Sequence, residues 1–183
     1  MRISERACNR RLKLLIDAGY IERKSVLYGV PRLYSLTNRT RSLIGAGRNK
    51  PNVRADKIIH DIAVLDTVVY FMKRDGLKLS DIVSDKEMQS KDGFNARKKH
   101  YPDFIFFSKG ESYAVEVELS AKSKARLKNN IQNNFIEYDY QIWVVSKSDI
   151  SIRKVIKDNM ETYPNITEII EIESVNEYAK LAD

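Results

Sequence analysis

The 183-residue sequence predicts an α/β protein, a mixed sheet with helices on both faces preceded by a small basic segment of helix and hairpin. Three observations carry that expectation. Runs rich in β-branched and aromatic residues at 103–107, 112–119 and 140–145 are interleaved with stretches of helical period. Charge is split along the chain: residues 1–54 hold 13 Lys and Arg against 3 Asp and Glu, net +10, whereas residues 55–183 hold 19 against 22, net −3. Hydrophobic residues make up 43% and charged residues 31%, with only seven Gly and four Pro, a composition that suits ordered structure rather than tail or linker. The boundaries expected are a segment 1–48 and a larger domain 55–183.

The same counts exclude several classes. No window of about 18 apolar residues free of charge is present, and "MRISERACNRRLKLL" lacks the apolar core of a secretion signal, so a soluble, cytoplasmic protein without membrane contact is expected. Cys8 is the only cysteine and cannot form an internal disulfide. With one Cys and two His there is no thiolate-based metal site, and any metal must be held by oxygen ligands.

In "SERACNRRLKLLIDA", Ala7, Leu12, Leu15 and Ile16 recur at roughly helical period while Arg6, Arg10, Arg11 and Lys13 fall largely elsewhere, with Ser4 placed to cap the helix. Gly19 suits the stop, "YIERKSVLYGVPRLYSLT" follows as two strand-like runs joined around "LYGVP", and a closing helix starts near Asn38. The segment "RRLKLLIDAGYIER…YSLT" resembles the recognition helix and wing of bacterial winged-helix proteins, which carry one or two helices ahead of this one, so residues 1–48 are expected to be part of such a domain. The resemblance implies DNA as partner, with Arg6, Asn9, Arg10 and Lys13 facing the groove and Arg23, Lys24 and Arg32 on the wing.

In the larger domain, 55–73 is apolar around most of its circumference and predicts a helix of about five turns packed on a sheet. "KLSDIV" at 78–83 is a short strand candidate followed by "SDKEM", and "KGE" turns 103–107 into 112–119. From 121 to 138, Leu127, Ile131, Phe135 and Tyr138 form an apolar stripe, with Lys122, Arg126, Asn129 and Asn133 opposite. Alternation in "SYAVEVEL" places Glu116 and Glu118 on one side of the strand and Val115, Val117 and Leu119 on the other. If the hairpin pairs through its turn, Asp103 approaches Glu116. Carboxylates that close raise one another's pKa unless a cation intervenes, and a hard divalent ion is the usual solution. Taken singly, "VEVEL" is also an ordinary strand and Pro-Asp an ordinary turn.

Pro102-Asp103, the turn, and Glu116-x-Glu118 in the next strand resemble the PD-(D/E)XK nuclease motif, which implies a restriction-endonuclease-like mixed sheet. Glu87 in "SDKEM" resembles the additional acidic residue ahead of the PD. The order of the basic head, "RADKIIHDIAVLDTVV", "SDKEM", "HYPDFIF" and "AVEVELSAKSKARL" is similar to the replication-relaxation family of plasmid and mobile-element proteins. This resemblance implies a Mg²⁺- or Mn²⁺-dependent DNA endonuclease or nickase of plasmid replication or mobilisation, with Asp103, Glu116 and Glu118 as metal ligands. It also implies association as a homodimer or with other replication or mobilisation proteins.

Glu118 stands where an active-site Lys is commonest. It is expected to act as a further ligand or as a base, and Lys122 to supply the positive charge. An exposed Lys122 without a role is the plain alternative. "NARKKH" offers Lys98 as a phosphate contact, His60 and His100 are expected to be structural or surface residues, and Tyr138 and Tyr140 to pack rather than act as nucleophiles. The competing function is a DNA-binding regulatory or accessory protein whose nuclease fold no longer turns over.

Overall fold

The computed structural model describes residues 4–25, 32–46, 55–93, 99–119 and 123–180. The chain divides into two compact units, Met1–Ile58 and Ile59–Asp183, the division falling inside a long helix rather than between residues 48 and 55.

The first unit contains α1 (Glu5–Asp17), β1 (Ile21–Lys24), β2 (Leu33–Leu36) and α2 (Asn38–Leu43). Ser4 caps α1 by accepting the Ala7 amide at 3.3 Å, and Gly19 at φ +72° ends the helix in the left-handed region open to glycine. β1 and β2 are antiparallel, with Ile21 opposite Leu36 and Lys24 opposite Leu33. Thr37 and Thr40 tie α2 back to the start of the hairpin, donating to the carbonyls of Gly19 (2.8 Å) and Tyr20 (2.6 Å). No residue of α1 is buried, and Leu14 is 61% exposed.

The second unit is α/β, with a mixed five-stranded sheet flanked by helices. α3 (Ala55–Arg74) leads into a 3₁₀ turn at Leu79–Asp81, then β3 (Ile82–Ser84), α4 (Asp85–Asp92), β4 (Phe104–Ser108), β5 (Glu111–Glu118), α5 (Lys124–Glu137), β6 (Tyr140–Val145), α6 (Ile150–Asn159), β7 (Ile166–Glu171) and α7 (Ile172–Lys180). The sheet order is β3-β4-β5-β6-β7, antiparallel through β5 and parallel from β5 to β7. The parallel connections pass through α5 and α6, as parallel strands require a crossover.

Strand parity sorts the side chains into two cores. Phe104, Phe106, Val115, Val117, Ile142 and Val144 pack with Ala63, Val68 and Phe71 of α3 and Val175 of α7. On the other face Trp143 and Val145 pack with Leu127 and Ile131 of α5 and Ile156 of α6, and Ile105 and Ala114 with Met88 of α4.

Several expectations shift in detail. The strand expected over 78–83 is mostly a 3₁₀ turn, because the Asp81 carboxylate takes the Lys78 amide at 2.8 Å. "SDKEM" is a helix start: Ser84 caps α4, and Glu87 reaches back to the Ser84 amide at 2.8 Å to complete a capping box. On α3, expected to be apolar around most of its circumference, Ile59, Ile62, Leu65 and Val69 are exposed. The buried stripe of α5 is Leu127, Asn130, Ile131 and Asn134, while Phe135 is exposed. Two asparagines thus take the phase assigned to hydrophobic residues. Among the described residues no helix is long and apolar enough to cross a membrane.

Candidate active site at the end of the β4–β5 hairpin

β4 begins at Phe104, paired with Val115, and the residues before it cannot extend the ladder in the ordinary way because Pro102 has no amide hydrogen. The Asp103 side chain joins this end of β5, its Oδ2 accepting the Val117 amide at 2.7 Å. Its own backbone carbonyl accepts the Asp85 amide at the start of α4 at 3.1 Å. Asp103 is thereby fixed at the sheet end beside Glu116.

Glu116 and Glu118 share the α5 face of the sheet, as alternation predicts, but neither is solvated: they are 4% and 3% exposed. Glu116 Oε1 accepts from Asn134 Nδ2 at 3.1 Å and lies 2.5 Å from His100 Nε2. Burial pushes the Glu116 carboxyl above the ordinary carboxylate range, and the nearby Asp103 charge pushes the same way; the His100 and Asn134 contacts partly oppose them.

The chain's other histidine mirrors this contact. His60 Nε2, from α3, is 3.0 Å from the Val117 carbonyl and 3.4 Å from Asp103 Oδ1. A carbonyl only accepts, so Nε2 carries the proton and points into this pair of oxygens. Val117 is therefore held at both backbone groups, by Asp103 through its N–H and by His60 through its C=O. Both histidines, expected to be structural or surface residues, sit on the two principal carboxylates. The sequence separations are 43 residues for His60–Asp103 and 16 for His100–Glu116, so helical or strand period gives no signal for either.

The remaining expected site residues divide. Glu118 ends β5 opposite Val145. It does not complete a three-carboxylate cage, since among the described residues no three or more His, Cys, Asp or Glu are placed to hold a metal ion. Glu87 is engaged by Ser84, whose amide and hydroxyl hold its carboxyl below the usual range, so its observed work is capping α4. Lys122 and Lys98 lie outside the described residues. Tyr140 Oη donates to Glu111 at 3.1 Å and Tyr138 Oη to Met88 Sδ at 3.6 Å, contacts that suit packing.

In the first unit, Arg6, Asn9, Arg10 and Lys13 are all exposed on α1, spaced to share a face of the helix. Arg23, Lys24 and Arg32 are exposed too, but Arg23 and Lys24 are consecutive in β1 and project to opposite faces of the ribbon, with Lys24 3.6 Å from Glu22. They cannot both meet one flat partner through the same face.

A divalent ion suits Asp103 and Glu116 as a pair, because Mg²⁺ is usually held by one or two carboxylates and completed by phosphate and water. Glu118, expected as a further ligand or a base, does not join them in a group of three placed to hold a metal ion among the described residues. Beside this pair Asn134 is fully buried, and among the described residues its Oδ1 has no hydrogen-bond partner. Compared with known proteins, the chain matches no family model, and no curated protein or solved structure matches it.

Proposed function

We propose that the second unit is a metal-dependent phosphodiester hydrolase of the PD-(D/E)XK type acting on DNA, and that the first is a partial winged-helix segment that binds the duplex. The observation that carries this reading is the nearness of Asp103 and Glu116 across the β4–β5 hairpin, with Asp103 fixed by the Val117 amide. The helix, three antiparallel strands, helix and parallel strand formed by α3, β3–β5, α5 and β6 support the same fold type. A Mg²⁺ or Mn²⁺ held by Asp103 and Glu116 would supply polarisation of the phosphate and a more acidic bound water. His60 and the Val117 amide orient Asp103, and His100 and Asn134 orient Glu116. Membership of the replication-relaxation family, with a role in plasmid replication or mobilisation as homodimer or accessory, belongs to the same proposal.

One observation favours a second reading, a binding protein that no longer cleaves. Glu116 is almost fully covered, with His100 and Asn134 already on its Oε1. Incubating supercoiled plasmid with the chain and Mg²⁺ or Mn²⁺ separates the two. Nicking that disappears in Asp103→Ala and Glu116→Ala supports hydrolysis. DNA binding without nicking under either metal leaves the second reading.

A further inference from the structure

A groove of about 460 Å³ opens on the α4/α5 side of the sheet. Its apolar lining comes from Val83, Met88, Ile105 and Phe107, and Tyr101 and Tyr138 add two rings. Lys91 and Lys99 bring two ammonium groups, and Asp92 and Glu137 two carboxylates. His100 also lines it and touches Glu116, so the groove abuts the carboxylate pair.

We propose that this groove binds one unpaired nucleotide, its base against Phe107, Tyr101 and Tyr138 and its phosphate at Lys91 and Lys99. The assignment of that nucleotide to a strand being cleaved rests on the hydrolase reading above; the binding itself is measured independently of it.

Size is the first argument, since pockets of roughly 300–1,000 Å³ enclose ligands of this class. The second is uncovered ring surface. Phe107 is 51% exposed although it belongs to an interior strand, because β3 pairs only as far as Phe106. The tyrosine hydroxyls are already engaged, Tyr101 Oη donating to Asp92 at 2.6 Å and Tyr138 Oη to Met88 Sδ. The rings are held in position, and what they offer a ligand is apolar surface.

The third argument is charge. Lys99, 3.4 Å from Asp92, and Lys91, in the last turn of α4, place two cations on an aromatic lining that also holds the carboxylates of Asp92 and Glu137. Flat apolar surface next to ammonium groups matches a planar base joined to a phosphate, the combination used by proteins that hold single strands. A base inside a duplex is stacked and paired and cannot enter without being turned out. The substrate class this selects is single-stranded or locally unpaired nucleic acid.

The test uses the full chain, isotope-labelled for NMR and titrated with deoxyadenosine monophosphate and, in parallel, inorganic phosphate. The nucleotide should shift resonances of Ile105, Phe107, Tyr101 and Tyr138, and phosphate alone should move only those of Lys91 and Lys99. Phe107→Ala should weaken binding of a single-stranded oligonucleotide roughly tenfold and leave duplex affinity unchanged, with Phe107→Tyr restoring it. Shifts no different from those of phosphate, or a Phe107→Ala loss equal for duplex and single strand, would overturn the proposal. Nucleotide binding in the groove without nicking of plasmid defeats the hydrolase reading and keeps this one; nicking without nucleotide binding does the reverse.

Discussion

His100 Nε2 lies 2.5 Å from Glu116 Oε1, joining one of the chain's two histidines to a carboxylate that is 4% exposed. The other histidine makes the looser equivalent, His60 Nε2 to Asp103 Oδ1 at 3.4 Å. A site assembled this way places two acidic groups close together and keeps each in a defined orientation. It is stabilised by those contacts and strained by the charge they surround.

Glu116→Gln follows directly. Burial holds the Glu116 carboxyl above its ordinary range. Its folded pKa therefore exceeds the unfolded one, and its contribution to stability is fully present below the unfolded value and lost as pH rises through the folded value. A glutamine keeps the oxygen that Asn134 donates to and removes the charge. Urea unfolding at pH 7 should give a higher midpoint for Glu116→Gln than for the parent, with the two converging near pH ~4, the ordinary carboxylate value. Nicking, if present in the parent, should be lost. A parent more stable than the variant at neutral pH would contradict the burial argument.

Asn134 offers a second check on the same carboxylate. Its Nδ2 donates to Glu116 from a fully buried position, so Asn134→Ala removes a donor at an expected cost of about 1–3 kcal/mol. Asn134→Asp puts an acceptor where the donor stood and adds a second buried carboxyl, and the expected loss is larger, about 3–5 kcal/mol. The order of the two unfolding midpoints at neutral pH is the measurement. An Asp variant no less stable than the Ala variant would mean that Asn134 does not face a charged group.

How much of this was legible depends on the range of the interaction. The opposition of Val115 and Val117 to Glu116 and Glu118 is a local consequence of strand alternation, and the turn at Lys109–Gly110 sets Asp103 near Glu116 through pairing alone. The capping role of Glu87 was also written locally, as Ser84-x-x-Glu87 ahead of Met88, although resemblance pointed to the catalytic site instead. Asn130 and Asn134 carried a fainter signal, polar residues in phase with Leu127 and Ile131 on a face that must be buried. The histidines carried none. His60 reaches Asp103 because α3 crosses the sheet, and His100 reaches Glu116 because the chain ahead of Pro102 folds over the strand end. Such contacts are products of tertiary packing.

The exposed face of α1 makes a quantitative prediction about ionic strength. Arg6, Arg10 and Lys13 are spaced to line one side of the helix, and none is buried. If each neutralises one phosphate of a duplex, replacing all three by Ala should reduce the slope of log K against log[salt] by about 2.7. Fluorescence anisotropy with a labelled duplex between 50 and 200 mM salt, concentrations over which the handling of three phosphates changes affinity by roughly one to two orders of magnitude, reads this out. An unchanged slope would remove α1 from the interface.

The bond from Tyr101 Oη to Asp92, 2.6 Å long, should be visible at both ends of the pH scale. The bond itself is the largest cause holding the Asp92 carboxyl below its ordinary range, and burial followed by the same bond pushes the Tyr101 hydroxyl up to about 12. For Asp92, with the folded pKa depressed, the stability contribution is present above the ordinary carboxylate value and lost as pH falls through the folded one. For Tyr101, with the folded pKa raised, it is present below the ordinary phenol value of about 10 and lost as pH rises toward 12. Tyr101→Phe removes both while keeping the ring that lines the groove. The stability difference between parent and variant, followed by urea unfolding, should be level from about pH 5 to 9 and shrink outside that window in both directions. A difference that is flat across the whole range would show that the hydroxyl and the carboxylate are not paired. The same variant should retain nucleotide binding in the groove, since stacking draws on the ring and not on the hydroxyl.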